Sequence, residues 1–76
     1  MNKNRRQLIT QGYNLIENGK AMLETALEEE RESYDNLPES IQGGDRGWAM
    51  EEYIDALETV VGYLEDAISN LEDIDL

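Results

Sequence analysis

Apolar residues recur at helical spacing from Arg5 to Leu37: Leu8, Ile9, Tyr13, Leu15, Ile16, Met22, Leu23, Ala26, Leu27, Tyr34 and Leu37, with Gly12 and Gly19 among them. This period predicts one long amphipathic helix over about residues 5–36. The stretch 37–47, Leu-Pro-Glu-Ser-Ile-Gln-Gly-Gly-Asp-Arg-Gly, holds the only proline and three of the six glycines, and it breaks the pattern. Pro38 keeps Leu37 out of the helical region, and Pro38 to Gln42 suits a single helical turn with proline leading. Asp45 is the best candidate cap for whatever helix follows.

A second helix is predicted over about residues 48–74, and its pattern reads as heptads. Met50, Leu57, Leu64 and Leu71 form one row, Tyr53, Val60, Ala67 and Ile74 a second, and Ile54, Val61 and Ile68 a third. Three adjacent apolar rows are wider than one partner helix covers. Glu51, Glu58, Glu65 and Glu72 also repeat every seven, and with Glu52, Asp55, Asp66 and Asp73 they are expected on the opposite, solvent side. No basic residue follows Arg46, so like charges at i,i+3 and i,i+4 go without partners inside this helix, at a cost of a few tenths of a kcal/mol each.

In the first helix Gly12, Gly19, Ala26 and Ser33 also fall seven apart. Glycine inside a helix costs about 1 kcal/mol relative to alanine. The row therefore either lets two helix backbones approach closely or marks local weakness.

Two helices of similar length, each about 40 Å at 1.5 Å per residue, joined by a short break, predict an antiparallel hairpin in one all-α domain spanning residues 1–76. Such a hairpin cannot bury three rows of one helix and a broad stripe of the other. A homodimer, two hairpins forming a four-helix bundle, is the expected way to cover them, with Leu57, Val61, Leu64, Ile68 and Leu71 in the shared core. The same stripe also suits docking on a different protein. At the open end Lys3, Arg5 and Arg6 are expected beside Glu72, Asp73 and Asp75, in preference to serving as a nucleic-acid-binding arm. Trp48 either joins Tyr34, Leu37 and Ile41 in a cluster at the turn or stays exposed as an anchor for a partner.

Charge changes this picture. The chain has 76 residues, with 18 Asp or Glu against 6 Lys or Arg and no His or Cys, for a formal net charge of −12. Without His or Cys the usual zinc, haem, iron–sulfur and thiol chemistry is missing, and a chain this short encloses no large pocket. The expectation is a protein that is not an enzyme, with no cofactor. Paired carboxylates do act as acid and base, but they need a cleft that raises one pKa, and these lie on the solvent side. The Gly43–Gly47 stretch has neither the ligand spacing of a calcium loop nor a phosphate-loop lysine. No apolar run has the length of a signal peptide or a membrane span, so no membrane contact and a cytoplasmic setting are expected.

The charge is uneven: residues 1–23 carry a net +3 and residues 24–76 a net −15. Direct nucleic-acid binding is disfavoured by repulsion, whereas a basic protein is attracted. A dimer carrying −24 along about 45 Å has one charge per ~1.9 Å, close to the ~1.7 Å of B-DNA.

The segment Asn36-Leu37-Pro38-Glu39-Ser40-Ile41-Gln42, followed by Met50-Glu51-Glu52 and Leu57-Glu58, resembles small acidic helical proteins of phages and mobile elements of Gram-positive bacteria. The resemblance covers roughly the second half of the chain. It implies a bacterial host cell and a setting in which small acidic proteins include inhibitors of host-defence nucleases, some of them nucleic-acid mimics.

Two readings follow. In the first, Glu51, Glu52, Asp55, Glu58, Glu65, Asp66, Glu72 and Asp73 form an acidic face that binds and inhibits a basic nucleic-acid-handling protein, with Trp48, Tyr63 or Leu76 as apolar anchors. In the second, the chain is a self-assembling structural or accessory protein whose acidity only keeps it soluble.

Overall fold

The computed structural model describes all 76 residues, and its regular structure is entirely helical: α1 (Lys3–Asp35), α2 (Glu39–Gln42) and α3 (Asp45–Glu72). α1 starts at Asn2, whose side chain accepts a hydrogen bond from the Arg5 amide at 2.9 Å and satisfies one of the free donors of the first turn. The chain leaves α1 at Asn36. Pro38 then heads α2, a single turn closed by the Gln42 amide donating to the Pro38 carbonyl at 3.0 Å. α3 begins three residues earlier than periodicity predicts. Its cap is Gly44, with no side-chain hydrogen bond, and Asp45 sits inside the first turn, where its charge favours the helix dipole instead of capping.

α1 and α3 lie side by side and antiparallel. Going up α1, Lys20 meets Glu65, Arg31 meets Glu58, and Tyr34 meets Glu51. The residues turned inward on α3 are Met50, Ile54, Leu57, Val61, Leu64, Ile68 and Leu71, spaced alternately four and three apart. On α1 the matching series is Ile9, Tyr13, Ile16, Lys20, Leu23, Leu27, Glu30 and Tyr34, continued by Leu37 just past its end, all buried or half-buried. This is the a/d spacing of a two-stranded seam. Only Leu27, Val61 and Ile68 are buried among the large apolar residues, each still 6–7% exposed, so the hydrophobic core is a thin line.

The row Tyr53, Val60, Ala67 lies outside the seam, as the excess of apolar rows over what one partner helix covers predicts. The Gly12 and Gly19 row does not face α3 either: a side-chain carbon added at either position would meet nothing within 4 Å. Glycine is required elsewhere, at buried Gly47, where an added carbon would lie 2.0 Å from the Gln42 carbonyl oxygen.

The hairpin is a rod, 59 Å in its longest extent against 15 and 14 Å across. No helix is long and apolar enough to cross a membrane.

Candidate functional site: an acidic side shared by two helices

The seam fixes which residues share a side. One step forward along a helix is a turn of about 100°. Because both helices are right-handed and they run in opposite directions, a forward step from the seam on α1 and a forward step on α3 arrive at the same side of the hairpin. That side receives Glu17, Glu24, Glu28 and Arg31 from α1, and Glu51, Asp55, Glu58, Glu65 and Glu72 from α3. A shallow groove of about 260 Å³ runs between them, walled by Glu24, Glu28, Glu58 and Glu65 over a floor of Leu27 and Val61.

The row Glu51, Glu58, Glu65, Glu72 therefore borders the seam; it does not lie opposite to it, as the helical pattern of α3 alone suggests. Glu51 accepts a hydrogen bond from the Tyr34 hydroxyl at 2.6 Å, and Glu58 accepts from the Arg31 guanidinium. The Lys20 ammonium lies 3.8 Å from Glu65 and 3.5 Å from Glu24. α1 thus supplies the partners that α3 lacks, and the cost of the row is partly offset across the seam. These contacts are solvent-exposed at the carboxylates and contribute little each. The remaining residues of the expected face fan outward: Asp55 sits beside the bordering row, while Glu52, Asp66 and Asp73 occupy the outer ridge of α3. None of these four side chains makes an ion pair or hydrogen bond within the chain, which leaves them free to meet a partner.

The acidic side also acts on tyrosine. Tyr13 donates its hydroxyl to Glu17 at 2.8 Å, and its pKa is pushed up to about 12, chiefly because that hydrogen bond holds the neutral phenol. Partial burial and the charges of Glu17 and Glu72 act in the same direction. Tyr34 is raised for the same first reason, its hydrogen bond to Glu51.

The two candidate anchors separate. Trp48 is 57% exposed in the first turn of α3, in the Asp55 row and so toward the acidic side. Tyr63 is 71% exposed and lies one step back from Leu64, on the opposite side. They cannot both contact one partner surface. Leu76, also exposed, lies past the end of α3 near Ile9 and Tyr13.

Lys3, Arg5 and Arg6 take part in no ion pair, contrary to the expectation that they meet Glu72, Asp73 and Asp75. The register explains this. Since Lys20 is level with Glu65, the end of α3 reaches only to about Tyr13 on α1, and the first two turns of α1 project beyond it, with residues 1–8 all exposed.

No three carboxylates converge as a metal site would require. The site was half legible in sequence: the heptad of Glu on α3 was visible, whereas Glu17, Glu24 and Glu28 join it only through the antiparallel register. Comparison with family models, with curated proteins and with solved structures finds no match for this chain.

Proposed function

We propose that this is a non-enzymatic interaction protein, encoded by a phage or mobile element, that binds and inhibits a basic nucleic-acid-handling protein of the bacterial host cytoplasm through its acidic side, acting as a homodimer. The observation that carries this reading is segregation. Solubility is served by carboxylates anywhere on a surface, yet here both helices line one side of the seam with them, and the opposite side carries Glu29 alone. Such a face draws a basic groove by long-range attraction and gives a fast, salt-sensitive encounter. A dimer carrying −24 spread over the 59 Å rod has one charge per about 2.5 Å, sparser than the ~1.7 Å of B-DNA, so the support is for competition by overall field more than by a phosphate-by-phosphate copy.

The alternative reading, a self-assembling structural or accessory protein, is favoured by the apolar side. One experiment separates them: capture of partners by tagged protein from a bacterial lysate at low and high salt, with added duplex DNA as competitor. The inhibitor reading expects a nucleic-acid-handling protein held at low salt and displaced by duplex. It also expects that the combination Glu52→Gln, Asp55→Asn and Asp66→Asn abolishes capture without unfolding the hairpin, since these side chains make no hydrogen bond or ion pair within the chain. Capture that is indifferent to salt, duplex and these changes sinks it.

A further inference from the structure

We propose that a second copy of this chain docks on the apolar side of the hairpin with its turn at the opposite end, so that the two α1 helices cross antiparallel at Gly12 and Gly19.

The surface is defined by a step backward from the seam, the mirror of the step that defines the acidic side. On α1 this brings Leu8, Leu15 and Met22, which are 66%, 72% and 73% exposed, and between them the row Gly12, Gly19, Ala26. On α3 it brings Tyr53, Val60 and Tyr63, all exposed, among Ala49, Ala56 and Ala67. Six large apolar side chains thus stand on one side of the molecule, and the one acid on it, Glu29, continues the row Leu8, Leu15, Met22 at its turn end.

The area fits a dimer. A folded monomer of 8.7 kDa is expected to expose about 4,700 Å². This hairpin exposes 5796 Å², an excess of roughly 1,100 Å², and a standard interface takes about 800 Å² from each partner. The relief is self-complementary: on α1 the small row Gly12, Gly19, Ala26 lies beside the row Leu8, Leu15, Met22, so the large row of one α1 finds the small row of another. Close approach through glycine is the packing reason that Gly12 and Gly19 lack inside the hairpin, where a side-chain carbon added at either would meet nothing within 4 Å.

Charge chooses the occupant and its direction. Each copy carries −12, and docking on the apolar sides turns the two acidic sides away from each other. The projecting Lys3, Arg5 and Arg6 have no partner in their own hairpin. With the turns at opposite ends, antiparallel α1 helices with Gly12 of one facing Gly19 of the other bring Lys3 level with Glu28 of the second copy, and Arg5 and Arg6 level with Ala26 and Thr25, between Glu24 and Glu28. With the turns at the same end they would project into solvent again. The dimer presents one acidic side on each outer surface, hence two equivalent sites for a basic partner. The dimer stands on the apolar side alone; that consequence rests on the function proposed above.

The test is mass by light scattering together with a distance between two turns. The chain has no cysteine, so Ser40→Cys carries a single spin label per copy. The expected result is twice 8.7 kDa and a label separation on the order of 60 Å, from 1.5 Å per residue along both half-rods. A monomer at micromolar concentration overturns the proposal, as does a dimer with labels within about 25 Å, the separation of turns at the same end. The double variant Leu15→Glu, Met22→Glu is expected to lose the dimer. If it unfolds, the result counts on the same side, since charges open to solvent in a lone hairpin leave it folded; a persisting dimer refutes the face. Capture of a basic partner is read in a separate assay, so failure of the dimer and failure of the acidic side are told apart.

Discussion

Gly47→Ala tests the account of the turn most sharply, because helix propensity and packing point in opposite directions. Gly47 is in the first turn of α3, where alanine on propensity alone stabilises by about 1 kcal/mol. The added carbon, however, would stand 2.0 Å from the Gln42 oxygen, 2.5 Å from its carbonyl carbon and 2.6 Å from its Cα. All three are backbone atoms, so no rotamer relieves the overlap, and α2 must move by about 1.5 Å to reach an ordinary contact of ~3.5 Å. That movement strains the hydrogen bond from Gln42 Nε2 to the Tyr34 carbonyl, 2.9 Å long, and the seating of Leu37 beneath the turn. Overpacking costs about 1–3 kcal/mol and a lost hydrogen bond about 1 kcal/mol, so against the propensity gain the net destabilisation is about 1–3 kcal/mol. For a chain of this size Tm falls by about 5–20 °C in thermal unfolding followed by circular dichroism. Gly62→Ala is the control: it meets nothing within 4 Å and is expected to raise stability by up to ~1 kcal/mol. A Gly47→Ala protein that melts at or above the wild type, alongside Gly62→Ala, refutes the close approach of α2 to α3.

Other outcomes follow from the seam and its borders. Ile68→Ala removes one of three buried apolar side chains and is expected to cost about 2–4 kcal/mol in urea unfolding. Leu57→Asp or Leu64→Asp buries a charge in the same line, so loss of the helical signal at room temperature is expected. Lys20 occupies a seam position with its side chain only 21% exposed; Lys20→Leu is expected to raise Tm while weakening the fixed register, read as broadened amide resonances. At alkaline pH the phenols matter: a pKa raised in the fold above the ordinary 10 means the neutral form is favoured there, so stability is full below pH 10 and declines as pH rises toward 12. Absorbance titration at 295 nm checks this, with Glu17→Ala expected to bring Tyr13 back down. An unshifted curve in both proteins discards the hydrogen-bond explanation.

The local rules of the chain determined much of this protein. A 3.6-residue period interrupted once by proline and clustered glycines fixes two long helices and one break, because backbone hydrogen bonding within a helix depends only on neighbours in sequence. The single turn after Pro38 and the seam rows of α3 were legible for the same reason, and so was the excess of apolar rows over what one helix covers. What lies across the seam was not legible. Glu51, Glu58 and Glu65 read as an unpartnered row until the antiparallel register brings Tyr34, Arg31 and Lys20 opposite them, and Lys3, Arg5 and Arg6 read as paired until that register leaves them beyond the end of α3. Sequence gives the angle of a residue about its own helix, but the relative slide and facing of two helices are set by packing between residues far apart in the chain. Only that arrangement turns two amphipathic patterns into a hairpin with one acidic and one largely apolar side, and shows that a side chain at Gly12 or Gly19 would meet nothing on its own partner helix.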